Sequence, residues 1–515
     1  MPTLRPIAAT LLVIGLSTLV SPPVTGARKV LSAIPLSAAE LRHKLQTEEG
    51  ARASRAMRPS PPRAPKNGIM QIPVNVRNKG ALLKGNGEAP NGMARQAGPS
   101  QGVLYPPCFD PGPRGKVASL VKAFPEVTWH VCVMDVGAKG LWVGPVDIRR
   151  TPSGPWVRVL YQAGLADIFV PYHDNSGRYY DMRFSRWLDQ VSAADAGPNG
   201  SLITLTHETI PTVVAEVRDR GVTWLCKQNF SIVRRGQDFV VWGVSDAGNY
   251  DNIVQMSFGD DGSMHFRLGN TGYNSPGKPS VPHMHNGLWR IDMDLNGVNN
   301  SAYWITHSEP GSLTASDSQT PFNTEGARQW NYNQFASLLI EETGTNMFEH
   351  HPGYEFTPAG TEVSRHYGPN EQWTLSDVYV TVYHPNEFGW LNTWASNNAF
   401  TWDAFSDPST ANNDCGNWAF PDYFNYAVCH WQSPDLYLLT YLSSPESVMN
   451  NDVVVWIKSA AHHDPTDEDR SSYDINPPNA ASVTGVTIAH WAGFDVTPHN
   501  FFDDNPLGGP AKCGP

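Results

Sequence analysis

From about Pro106 onward the chain is built of brief apolar runs rich in Val, Trp, Tyr and Phe, broken at short intervals by Gly, Pro, Asn and Asp. VTWHVCVMDV, WVRVLYQ, DFVVWGV, NIVQMSF, SMHFRLG and DVVVWI are examples. β-branched and aromatic runs of this length between turn formers predict antiparallel strands in a large β-sandwich. No fixed-period repeat and no sustained helical stripe interrupts them, so residues 115–515 read as one nearly all-β body. The start of the chain differs. Met1 to about Ala27 combines a lone Arg5, an apolar run from Ala8 to Val20 and the small-residue end Val24-Thr-Gly-Ala27, the layout of a secretory signal peptide. That run falls short of the ~20 residues a spanning helix needs, so no membrane span is expected. Pro35 to Leu45 predicts one short helix, with Ser37 as N-cap, Glu40 at the capping-box spacing and leucines at helical intervals. ARASRAMRPSPPRAPK, Ala51 to Lys66, has no apolar period and reads as an exposed linker closing the 28–66 segment.

Composition changes this picture in two places. Of 37 Lys+Arg and 49 Asp+Glu, residues 1–100 hold 14 basic and 4 acidic side chains, leaving 37−14=23 basic against 49−4=45 acidic afterwards. An acidic body repels nucleic acid and mildly favours cationic substrates such as amines; a solvated surface that only aids solubility explains the charge equally well. Six cysteines in an exported chain are expected to pair, with Cys415 and Cys429 close in sequence, and sequons at Asn199, Asn229 and Asn299 fit a glycosylated, secreted protein.

The candidate chemistry starts at Pro282-His283-Met284-His285. On an extended strand residues two apart face the same side, so both imidazoles can reach one metal, although this spacing alone is more often ordinary. Ala461-His462-His463 follows a second strand-like run, and either histidine closes a three-imidazole site suited to copper or zinc. Asp292 and Asp294, again two apart, with Asp452 opening the later strand, offer oxygen ligands of the kind calcium takes; a solvated acidic edge is the competing reading.

Gly248-Asn249-Tyr250-Asp251-Asn252, placed after the apolar run Phe239 to Val244, resembles the cofactor-forming motif of the copper amine oxidases. Further segments match that family in order: LYQAGLADIFVPYHD (Leu160 to Asp174), HMHNGLWRIDMDLNG (His283 to Gly297), HHDPTDED (His462 to Asp469) and TPHNFFDDNP (Thr497 to Pro506). The resemblance implies a catalytic β-sandwich over 115–515, a small α+β N-terminal region with residues 67–114 as a remnant accessory piece, and a homodimer. It makes Tyr250 the precursor of topaquinone beside Asn249, His283, His285 and His463 the copper ligands, and Tyr172 the tyrosine that hydrogen-bonds the quinone. His463 is preferred to His462 because it lies five residues before Glu468. Asp189, in SRWLDQ, best matches the catalytic base, with Asp181, in RYYDMRF, competing because the intervening loop departs from the family length. The reaction implied is oxidative deamination of a primary amine through a topaquinone Schiff base, with copper and dioxygen reoxidising the cofactor and releasing aldehyde, ammonia and hydrogen peroxide. Asp246 stands where the family carries Ser or Thr. Cys226 occupies a position the family often uses in a disulfide, without a partner around Thr206 to Pro211. A secreted copper-binding or adhesive protein that keeps the sandwich without turnover is the alternative from another class.

Overall fold

The structure is a computed structural model, and it describes residues 68–72, 105–108, 116–136, 140–151, 153–173, 178–181, 188–226, 232–247, 249–274, 280–306, 318–330, 336–360, 376–383, 444–466, 469 and 486–507. The leader, the Ser37-capped helix, the linker, Cys415 and Cys429 lie outside them.

Two ten-stranded antiparallel sheets form the body. The first runs in spatial order β1 (Ile69–Ile72), β2 (Lys116–Ala123), β3 (Thr128–Asp135), β4 (Leu141–Arg149), β5 (Val157–Pro171), β12 (His283–Met293), β19 (Val453–His463), β18 (Val378–Val382) and β15 (Gly326–Arg328), with β6 (Arg178–Tyr180) also paired to β5. The second runs β14 (Ser318–Pro321), β13 (Asn300–Thr306), β16 (Ser337–Glu342), β17 (Gly353–Ala359), β20 (Val486–His499), β11 (Met264–Tyr273), β10 (Tyr250–Gly259), β9 (Ile232–Asp246), β8 (Val213–Cys226) and β7 (Gly200–Ile203). Each apolar run quoted above falls on one of these strands, as the β-sandwich reading expects. The described helix α1 (Ala193–Ala196) is a single turn held by a Ser192/Asp195 capping box.

The sheets close on a common core in which alternate side chains of both inner faces interdigitate. Trp289 of β12, Phe266 of β11 and Phe494 of β20 meet there, with the two phenyl rings stacked at 5.0 Å and Trp289 5.7 Å from Phe266. Trp129 of β3 is fully buried and donates its indole N–H to the Gly259 carbonyl at the end of β10, which ties the sheets with a satisfied polar contact. Burying a side chain of this size contributes roughly 4–6 kcal/mol before entropy is counted.

β12 departs from simple alternation, for every one of its residues is buried. It is central in its sheet, and its outer face is covered as well: Leu288 belongs to a second apolar cluster with Trp142, Tyr379, Val454 and Trp456. A disulfide joins Cys108 to Cys132 of β3 within that cluster. Cys226 is disulfide-bonded too, so the expected pairing extends to all three described cysteines.

β10 and β12 are both central strands, and the antiparallel pairing of β12 with β19 brings the start of one beside the end of the other. Opposite Tyr250, at the start of β10, stands Gly272 of β11 with φ +108°, where a Cβ would collide with the Asn249 carbonyl oxygen and lie 2.9 Å from the Tyr250 Cα. Positive φ and the missing room both demand glycine here. Gly272→Ala is expected to lower stability by about 1–3 kcal/mol, read as a shifted urea midpoint with an unchanged slope.

Candidate metal centre

His283 and His285 open β12 two residues apart, and His463 ends β19 directly opposite His283 in the register. The strand geometry therefore delivers three imidazoles to the inner face, and their ligand atoms all lie within 4.8 Å of one another. All three rings are buried. His462, one residue earlier, is opposite Met284 and its ring stacks on His173, away from this cluster. The choice between His462 and His463, open on spacing alone, is made by the pleat.

Outward contacts fix the tautomers of two of these rings. His283 Nδ1 lies 2.9 Å from the Val281 carbonyl oxygen, to which it donates, so Nε2 presents a lone pair inward. His463 Nε2 donates to the Asp469 carboxylate at 3.1 Å, leaving Nδ1 inward. Burial pushes the His283 pKa down to about 3 and holds His463 and His285 below the ordinary histidine value, so the rings are neutral. Tyr250 meets these lone pairs. Its hydroxyl oxygen is 2.9 Å from His283 Nε2, 2.9 Å from His463 Nδ1 and 3.0 Å from Asn274 Oδ1. One phenolic proton cannot serve three acceptors. Both ring nitrogens of buried His285 have no hydrogen-bond partner among the described residues, and its ring lies 4.5 Å from Tyr250. Unpaired buried nitrogens and converging lone pairs are costly in isolation and fit a cation at their focus. Three neutral imidazoles suit copper or zinc.

Around this focus Tyr172 stacks on His283, with ring centroids 4.5 Å apart and planes 12° from parallel, and pairs with it in an isolated bridge. Asn249 is half-buried and donates from Nδ2 to the Tyr273 carbonyl, which holds the turn entering β10. Desolvation, reinforced by the charges of Tyr172, Asp181 and Asp469, pushes the Tyr250 phenol well above its usual range.

The two carboxylates weighed as base separate here. Asp181 is buried, its pKa is raised to about 7 by that burial, its side chain hydrogen-bonds Asn252, and its Oδ2 has no hydrogen-bond partner among the described residues. Asn252 in turn accepts from Asn270 at 2.6 Å. Asp189, which the sequence favours, is only half-buried, and its backbone N–H bonds the Val244 carbonyl. Of these two carboxylates, Asp181 is the one whose charge acts on Tyr250, alongside that of Asp469. Loop length, the feature that left the choice open, carries no information about which carboxylate folds inward.

Asp292, Asp294 and Asp452 also come together, with carboxylate oxygens within 4.8 Å of one another and Arg290 Nη2 3.2 Å from Asp292. Sequence reasoning missed Asn274 and His490, whose ring sits 4.5 Å from His463, and gave no role to Asp469. Asp469 was visible in HHDPTDED; Asn274 and His490 belong to no motif.

With this geometry established, comparison with known proteins defines the class. The family profile described as copper amine oxidase, enzyme domain, matches residues 218–430, a span holding Tyr250, His283 and His285. The chain is 24% identical over 441 residues to a primary amine oxidase of Klebsiella aerogenes, covering 72% of this chain and 51% of that protein. It is 23% identical over 466 residues to a peroxisomal copper-containing amine oxidase, alpha 2, of Arabidopsis thaliana, covering 78% and 61%. The fold is shared with a copper-containing benzylamine oxidase from Hansenula polymorpha, at TM-score 0.54, 18% identity and coverage of 82% of this chain and 65% of that one. An amine oxidase of Aspergillus nidulans gives TM-score 0.52 at 16% identity, covering 82% and 57%. These similarities support membership of the copper amine oxidase family, as a divergent member. It spans about half to three-fifths of the length of these curated relatives.

The depressed His283 pKa has a consequence for the metal-free protein. Below about pH 6.5 the unfolded chain takes up a proton that folded His283 refuses until about pH 3, so stability is lost progressively as pH falls through that window. Urea unfolding of metal-free protein at pH 7.5 and pH 5 is expected to give the lower midpoint at pH 5, with a smaller difference in His283→Gln.

Proposed function

We propose that the chain oxidises primary amines to aldehydes, releasing ammonia and hydrogen peroxide, with copper held by His283, His285 and His463 and a topaquinone formed from Tyr250. The observation that carries this reading is the Tyr250 hydroxyl set 2.9 Å from two imidazole nitrogens that have no other use for their lone pairs. The cofactor, when present, supplies a carbonyl to capture the amine and, with copper and dioxygen, a sink for its electrons.

The chain's own residues do the rest. We assign the general base to Asp181 in preference to Asp189. Asp181 Oδ2 is the atom that takes the substrate α-proton, and burial brings its pKa close to neutrality, where a carboxylate transfers protons effectively. Asn252, fixed by Asn270, holds the other carboxylate oxygen in place. Tyr172 is anchored by its stack on His283 and positions the ring formed from Tyr250, while Asn249 braces the turn that presents it. Asp469 keeps His463 in the tautomer that turns Nδ1 inward.

The same reading extends outward. Asp292, Asp294 and Asp452 form a second cation site that takes calcium, supported by their clustered oxygens. A secreted, glycosylated location is supported by the leader-like start and the Cys108–Cys132 bridge. Homodimerisation is supported by exposed Val222, Leu225 and Val233 toward the end of the β8–β9 hairpin, apolar surface that a second copy would cover. The substrates are a primary amine and dioxygen; among the described residues no helix is long and apolar enough to cross a membrane.

Copper-loaded, aerated protein is expected to show a broad visible quinone band that shifts with phenylhydrazine and is absent from Tyr250→Phe. A band missing at full copper occupancy would instead identify a copper-binding protein without turnover. Asp181→Asn is expected to reduce kcat/KM for a primary amine by about 10²–10⁴-fold, and Asp189→Asn by less than about tenfold; the reverse order would move the base to Asp189. Because Asp181 must be ionised to accept the proton, wild-type kcat/KM should fall as pH drops below about 7.

A further inference from the structure

The histidine beside each of two site residues faces away from the three-imidazole cluster. His173 follows Tyr172, which stacks on His283, and His462 precedes His463. Strand alternation sends these neighbours to the outer face of the sheet, where their rings meet over β12. Their centroids are 4.9 Å apart, their planes differ by 16°, and the two Nε2 atoms are 3.1 Å apart. Two Nε2 atoms at that separation cannot both carry a proton, so at least one lone pair points into the gap. Both residues are half-buried, hence reachable from solvent yet held in place. The His173 amide is fixed by a bond to the Pro282 carbonyl, and His462 lies in register with Met284 of the intervening strand.

We propose that His173 and His462 form a second metal site, distinct from the three-histidine centre, that takes a borderline divalent ion such as Zn²⁺ or Cu²⁺. Metal–imidazole bonds of about 2.0–2.1 Å at a tetrahedral angle place the two nitrogens about 3.3 Å apart, and the 3.1 Å observed needs only a slightly narrower angle. Water fills the remaining positions. A metal there ties the segment just after β5 to β19 across β12, next to Tyr172, His463 and the His283/His285 pair. The site would exist whether or not the chain turns over amines.

The test uses the full chain, first loaded with copper, then dialysed to equilibrium against micromolar Zn²⁺ in calcium-containing buffer, with both metals counted by mass spectrometry. Wild type is expected to hold one more zinc per chain than His173→Ala and than His462→Ala, with copper unchanged. His462→Gln, which keeps the side-chain bulk, replaces the alanine variant if the latter fails to fold and should lose the same single zinc. Equal zinc in wild type and any folded variant overturns the proposal. Should the three-histidine centre fail to retain copper, it would take zinc in every variant alike, so the difference of one zinc remains the reading.

Discussion

Two neutral imidazoles turned toward one buried phenolic oxygen, with a third ring beside them, form the contact on which the remaining site geometry depends. None of these groups is tolerable there singly. The nitrogens are cut off from water, and His285 has no hydrogen-bond partner among the described residues. The arrangement persists because outward contacts, His283 to Val281 and His463 to Asp469, have spent the other nitrogens, and because Tyr250 arrives from the opposite sheet. The sandwich is what permits this. β12 packs against β11 and β20 through Trp289, Phe266 and Phe494, and Tyr250 at the start of the neighbouring β10 reaches the ligands on the other sheet with no loop between them.

Backbone pairing supplies the precision. His283 and His463 are cross-strand partners, and Gly272 gives Tyr250 its place by having nothing to put there. Positions fixed by ladder register are held more rigidly than positions on loops, which suits a centre whose donors must converge on one point. The carboxylate arm is built differently: Asp181 follows the short β6, and its orientation rests on the Asn252–Asn270 pair of β10 and β11.

How much of this was legible follows from the range of each interaction. The strands were readable because β-branched and aromatic runs are a local signal, and each quoted run is part of a strand. His283 and His285 were readable as a pair because the period of two is local as well. The full burial of β12 was not, since its outer cover comes from Trp142, Tyr379 and Trp456, scattered along the chain. Choosing His463 over His462 needed the pairing partner, and from residues alone only the family resemblance supplied it. The preference for Asp189 over Asp181 rests on matching a loop of altered length, and the deeper burial of Asp181, a property of the packed sheets, is not visible in that match. Asn274 and His490 sit in no motif, and only the packed sheets reveal them.

The paired histidines at the end of β19 carry a risk as well as a function. Sliding that strand by one residue along β12 would rotate His462 into the place of His463, and the substitute would still be an imidazole. Most frame errors in a sheet announce themselves by burying something polar. This one would present nearly the right chemistry at the wrong position, without the Asp469 contact that sets the tautomer of His463. Fidelity of assembly at this edge of the centre therefore rests on the apolar stretch Val453–Ile457 locking against β12 and β18, several residues from the histidines it protects.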